Sequence, residues 1–273
     1  MENSPSNELN SSPHVDPEDS QDQHIAAQYV DDLVSQALMH RATRHPYLTA
    51  LSAGTLPDLR FALGDFARHY YGHSAHFPRY LTALISRLEN PDHRNPLLAN
   101  LLQESGHYEP EELAGLHRCG IEADWIVGVP HPELFQRFRQ ALGMIGTDPS
   151  IDHVYVVAWR DLLLSLLSSG SPAEALGALG LGSESIVPAI YQPFLDAIGR
   201  LGTLEPRDTV FFPLRTAIHD QRQARINAIA IDFAMTPGGQ ADLSKGMHMA
   251  LALRNSFWDW LYERVLRGGG GPV

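Results

Sequence analysis

Arg215, His219 and Arg222 stand at i, i+4 and i+7 in the stretch FFPLRTAIHDQRQARINAIAIDF, residues 211–233. Read as one helix, that stretch carries the three on a single face. Phe212, Ile226, Ile229 and Phe233 share or flank the same face, so it is expected to turn inward. Two guanidiniums and an imidazole aimed at an interior are costly unless something anionic meets them. The arginines suit a carboxylate bidentately, and His219 could act as acid or base beside them.

Two carboxylates stand where helices could bury them. Glu104 comes after the stripe Leu97, Leu98, Leu101, Leu102, just before a stop at Gly106. It either faces a core or is a solvated helix-end glutamate. Glu184 sits between the small residues of GALGLGS and the apolar IVPAIY. Small neighbours let a partner helix come close, which could bury it. His131 precedes Pro132 at a helix start and can project inward from there. His69, His73 and His76 share the same i, i+4, i+7 spacing, read either as a metal face or as a packed aromatic–histidine stripe. His40 and His45 flank the break before Pro46 and read as capping or solvent-facing residues.

The elements that must position these residues are all helical. Apolar residues recur at the 3.6 period in residues 25–40, 59–88, 96–106, 132–144, 153–169, 186–201, 211–233 and 243–266. Helix-start chemistry is explicit at Ser171, Pro172 and Glu174. GALGLG has no strand before it and does not read as a phosphate loop. No strand pair and no internal repeat is visible. The expectation is a single-domain all-α bundle of about seven to nine helices spanning residues 23–267. Residues 1–22, acidic and polar, are expected to be a disordered tail, and residues 268–273 a flexible one.

Composition narrows the partners. The chain has 273 residues, 44% hydrophobic and 19% charged, enough apolar side chains for one sizeable core. A formal net charge of −12 argues against nucleic acid and anionic membranes. The single cysteine, Cys119, excludes an internal disulfide and cysteine metal clusters. The first residues carry no apolar segment of a signal peptide, and no run is long enough to span a bilayer, so a cytoplasmic location is expected.

Five stretches together resemble the heme-oxygenase-like superfamily, in particular its non-heme di-iron oxidases and oxygenases. Its cofactor-free PQQ-synthase-type and TenA-type enzymes are relatives, and the resemblance implies a small-molecule substrate, with a homodimer or a biosynthetic partner protein left open. The stretches are ARHYYGHSAHFPRYLTALISRLENPDHRNPLLANLLQESG, VPHPELFQRFRQALGM, ALGALGLGSESIVPAIY, RDTVFFPLR and ALALRNSFWDWLYERVL, in the family's order over most of residues 60–266. The resemblance implies six iron ligands: Glu104, His131 (or His107, at Glu-x-x-His spacing), Glu184, and three from a His-x-x-x-Asp-x-x-His helix. The last three positions here are Arg215, His219 and Arg222. Arginine stays protonated and cannot ligate iron. Asp220 is one residue off the pattern, turned about 100° away on a helix.

A compensation is expected: Arg215 and Arg222 take over the charge that two irons would supply and pair with Glu104 and Glu184. Three readings are open. The chain is a metal-free enzyme holding an anionic, amino-acid-like or fatty-acid-like substrate with Arg215 and Arg222. Or it keeps one iron on Glu104, His131, Glu184 and His219, at low occupancy, and oxidises such a substrate with O₂. Or it is a non-catalytic partner or scaffold subunit whose former site is a salt-bridge network.

Overall fold

Proline sets the rhythm of this chain. A pyrrolidine ring fixes φ near the helical value and lacks the N–H that a helix's first turn would leave unpaired. Prolines open or nearly open most of the helices, and side chains of His45, Asp58, Asn90, His153, Ser171 and Thr236 cap six starts by accepting backbone N–H bonds. His45 is thus a capping residue, as its place before Pro46 suggests.

A computed structural model describes residues 17–144 and 153–268. The helices are α1 (Pro17–Met39), α2 (Pro46–Ala53), α3 (Leu59–Ser74), α4 (Phe77–Arg87), α5 (Pro91–Glu104), α6 (Pro110–Arg118) and α7 (Ala123–Ile126). They continue with α8 (His131–Ala141), α9 (Val154–Ser169), α10 (Pro172–Leu176), α11 (Val187–Leu201), α12 (Phe211–Ala217), α13 (His219–Ala234) and α14 (Pro237–Leu266). A π-helical turn, Gly177–Glu184, continues α10. Among the described residues every regular element is helical, so the fold is all-α. The number differs from the seven to nine expected: twelve of the fourteen α-segments have seven residues or more. The surplus arises where prolines and tight glycine turns split runs that periodicity alone reads as continuous.

α1 starts at Pro17, so residues 17–22 belong to a helix rather than to the expected N-terminal tail, of which residues 1–16 lie outside the described residues. Residues 269–273 of the expected C-terminal tail also lie outside them.

The long α14 forms the spine. It packs against the π turn, α9, α10 and α13, while α11 lies on α2 and α3 lies against α8 and α9. An aromatic cluster fills the centre. Phe66 stacks with Tyr70 at 4.7 Å and meets Phe135, Phe194, Phe212 and Trp258. Each fully buried ring of this kind contributes about 1.5–3 kcal/mol through burial, the main term holding the layers together. Tyr70 belongs both to this cluster and to the wall of a polar cavity beside Glu104. Among the described residues no helix is long and apolar enough to cross a membrane.

Candidate functional site

Glu104 is the last residue of α5, and the turn after it builds half the site. Gly106 adopts φ +82, the left-handed conformation that glycine tolerates best. A Cβ there would lie 2.6 Å from the Val129 nitrogen, so only glycine admits this approach. The Gly128 N–H donates to the Gly106 carbonyl at 2.9 Å and fixes the crossing. The crossing carries His131, at the head of α8, onto Glu104: its Nδ1 lies 3.1 Å from Oε2. The other ring nitrogen, Nε2, is 2.8 Å from the Tyr108 hydroxyl. His107, the alternative to His131, is exposed.

Glu184 ends the π turn. Glycines there let backbone touch backbone: a Cβ on Gly177 would stand 2.1 Å from the Leu243 carbonyl, and one on Gly246 of α14 would stand 1.9 Å from the Glu174 carbonyl. This approach of α14 buries the turn and delivers Glu184 to the interior.

The arginines arrive from two helices rather than one. The expected single helix over residues 211–233 breaks at Ile218 (φ −90, ψ 0), between α12 and α13. Both guanidiniums nevertheless converge. Arg215 Nη1 lies 2.5 Å from Glu104 Oε1, and its Nη2 donates to Glu184 Oε1. Its guanidinium also lies 4.7 Å above the Phe77 ring. Arg222 Nη1 lies 2.6 Å from Glu104 Oε1 and 3.7 Å from Glu184 Oε2. Arg222 Nε donates to Gln103 Oε1 at 2.9 Å, and Gln103 in turn donates to Glu112 at 2.6 Å. Glu104, Glu184, Arg215, Arg222 and His131 are thus one buried network. His219 is only half-buried at the head of α13 and does not line the cavity beside the network. Burial lowers its pKa, against the nearby Glu184 and Asp220.

The electrostatics are set by these contacts. Burial alone would raise the Glu104 carboxyl, but His131, Arg215 and Arg222 outweigh it and hold it well below the usual range. Burial works against the Arg215 charge, and Glu184 and Glu104 more than restore it. Burial pushes His131 below its ordinary value of 6.5, while Glu104 pulls the other way.

Beside Arg215 lies a cavity of about 20 Å³, enough for one or two water molecules. Tyr70, His73, Ser74, Phe77, Tyr191 and Arg254 contribute to its wall together with Glu104, Glu184 and Arg215. The Tyr70 and Tyr191 hydroxyls are 2.9 Å apart. His73 stacks face to face on Trp159, 3.6 Å between centroids, and its Nδ1 is 3.4 Å from the Tyr80 hydroxyl. His69 instead meets Asp65 and the edge of Trp260, so His69 and His73 pack against different tryptophans rather than sharing one face.

Sequence reasoning missed Gln103, Tyr108, Tyr70, Tyr191 and Arg254. For Arg254 a signal existed: Ala250, Phe257, Trp258 and Leu261 place it at the centre of the buried stripe of α14.

The model of a family described as iron-containing redox enzymes matches residues 64–255, more than two thirds of the chain. The chain belongs to this family. Among solved structures, this iron-containing redox family member resembles a CADD-like protein of unknown function from Nostoc punctiforme (TM-score 0.69, 13% identity, covering 89% of this chain and 99% of that one). It also resembles a domain of unknown function with a heme oxygenase-like fold from Shewanella denitrificans (TM-score 0.58, 13% identity, 92% and 96% covered). A TenA homolog from Pseudomonas syringae is similar too (TM-score 0.63, 13% identity, 87% and 93% covered). These likenesses show the heme-oxygenase-like fold. A 4-aminobenzoate synthase of Chlamydia muridarum is 31% identical over 84 residues, which span 31% of this chain and about a third, 35%, of that protein.

The residues present do not fit the family's iron. Two guanidiniums occupy the contacts of both carboxylates. Among the described residues no group of three or more His, Cys, Asp or Glu is placed to hold a metal ion.

Proposed function

We propose that this member of the iron-containing redox family works without a metal, on a small anionic metabolite in a biosynthetic context. The observation that carries the reading is the bridging of Glu104 and Glu184 by Arg215. A permanently protonated side chain holding both carboxylates takes the place where charge neutralisation by a metal pair would otherwise be needed. The local likeness to a 4-aminobenzoate synthase supports the biosynthetic context. In this reading Arg222 serves the network, Arg215 both holds the carboxylates and borders the ligand, and the Tyr70–Tyr191 hydroxyl pair supplies polar contacts inside an aromatic wall.

A second reading, a non-catalytic partner or scaffold subunit, is favoured by one observation. The cavity of about 20 Å³ is small for a substrate unless its wall moves.

Iron analysis of full-length protein produced with iron supplementation tests the proposal. Below about 0.2 iron per chain is expected, and a content near one or two overturns it. The triple variant Arg215→His, His219→Asp, Arg222→His restores the family's pattern and is expected to raise the content to about one iron or more.

A further inference from the structure

The network balances itself, and one cation beside it does not. Arg254 projects from α14 and is only 3% exposed. Its Nε and Nη1 are buried and have no hydrogen-bond partner among the described residues. Its guanidinium rests over the Trp159 ring, 5.1 Å from the centroid, a contact that orients a cation but does not neutralise it. Arg254 lines the same cavity as Glu104, Glu184 and Arg215.

The formal charges around that cavity can be matched pairwise. Glu104 and Glu184 are taken by Arg215 and Arg222. His73 and His131 also line the cavity and bring no anion to it. Arg254 is left over, one positive charge in a buried wall. Isolated buried cations are rare because desolvation costs so much, and they persist where an anion from outside completes them.

Other features of the wall describe that anion. Ser74 Oγ is also buried without a partner among the described residues. The Tyr70–Tyr191 hydroxyl pair, Phe77 and Phe211 add polar and aromatic contacts to the lining. The charge deficit is single and the space small. A planar monoanion with two acceptor oxygens satisfies the fork of a guanidinium; a tetrahedral dianion would overcompensate the charge and demand more room.

We propose that Arg254 anchors the carboxylate of a small monocarboxylate ligand in the cavity bordered by Tyr70, Ser74 and Tyr191. The inference rests on reading this cavity as a ligand site. It identifies the binding cation as Arg254, because Arg215 and Arg222 are already engaged by protein carboxylates. It also predicts an unusual stability signature. In the free protein Arg254 is a burden, so its replacement by an apolar side chain of similar length relieves one.

The experiment uses the full chain in a buffer free of carboxylates. Calorimetric titration and melting curves are recorded with formate, acetate, benzoate and inorganic phosphate. Saturable binding of at least one carboxylate is expected, with a melting temperature that rises with its concentration. Arg254→Met is expected to weaken that binding at least about tenfold, as loss of a charged hydrogen-bond donor does. Without ligand, the same variant is expected to melt about 2–4 °C higher than the wild type. Arg254→Lys keeps the charge but not the fork and should bind with intermediate affinity. No saturable binding of any carboxylate overturns the proposal, as does Arg254→Met binding equally well. An Arg254→Met variant that melts lower or fails to fold overturns it too, because Arg254 is then structural. Tighter binding of phosphate than of every carboxylate overturns the ligand class. Iron content measured on the same wild-type sample keeps the two readings separate: bound iron counts against metal independence, absent carboxylate binding against Arg254.

Discussion

At the scale of single residues, Glu104 is the hub. One oxygen accepts from Arg215 and Arg222 at 2.5 and 2.6 Å, and the other faces His131 at 3.1 Å. Removing one cation leaves a buried carboxylate undercompensated, which is more damaging than removing a whole buried pair. Arg215→Ala is therefore expected to cost about 3–5 kcal/mol in urea denaturation. Arg267→Ala, which breaks the exposed pair with Glu263 at 3.2 Å, should change stability by less than about 1 kcal/mol. Equal effects of the two substitutions would contradict the network's importance. The five network residues could be named from the sequence because each carries a local signal: a carboxylate after a leucine stripe, another among small residues, a histidine at a proline start, cations at helical spacing. Gln103 and Tyr108 carry none. Their roles exist only because Gly106 folds the chain so that residues 128–131 return over α5. Arg254 was legible by the same rule that exposed Arg215, a cation centred in an apolar stripe.

At the scale of elements, the π turn and α14 decide where Glu184 goes. Their backbones touch, and the glycines at the contact are a steric requirement. Gly246→Ala would put a methyl 1.9 Å from the Glu174 carbonyl, so the helices must separate. The expected outcome is a loss of about 1–3 kcal/mol, read as a fall in denaturation midpoint, as overpacking of a tight contact usually costs. Gly199→Ala, where a Cβ meets nothing within 4 Å, is the control and should leave stability unchanged or raise it slightly. The existence of the long helices was readable from periodicity, prolines and caps, whereas the short α2 (Pro46–Ala53) was not. The π turn and the break at Ile218 were not, because both replace one hydrogen-bond register by another without changing the apolar pattern. Residues 211–233 show how little this matters to the site. Arg215 and Arg222 share a target across a broken helix, since the break leaves both facing α5.

For the whole molecule, the buried histidines make acid the weak side. Burial, with Arg254 and His76 adding to it, holds His73 well below its ordinary 6.5, and burial lowers His131 and His45 as well. A histidine whose folded value is depressed stays neutral while the unfolded chain takes up its proton. Stability is therefore full above 6.5 and falls as the pH drops from there toward the folded value. About 1 kcal/mol per such histidine and per pH unit is expected to be lost. Urea midpoints at pH 7.5 and 5.5 measure it, and His73→Phe, which keeps a ring against Trp159, should flatten the slope. Glu104 adds nothing in that window: its depressed value withdraws stability only below the ordinary 4.5. The two guanidiniums between the carboxylates have a consequence for supply. The charge opposing Glu104 and Glu184 is joined to the chain by covalent bonds and made on the ribosome, in fixed stoichiometry. It needs no delivery, cannot be stripped by a chelator, and does not change oxidation state, so the charges of Glu104 and Glu184 are met from the moment the helices close.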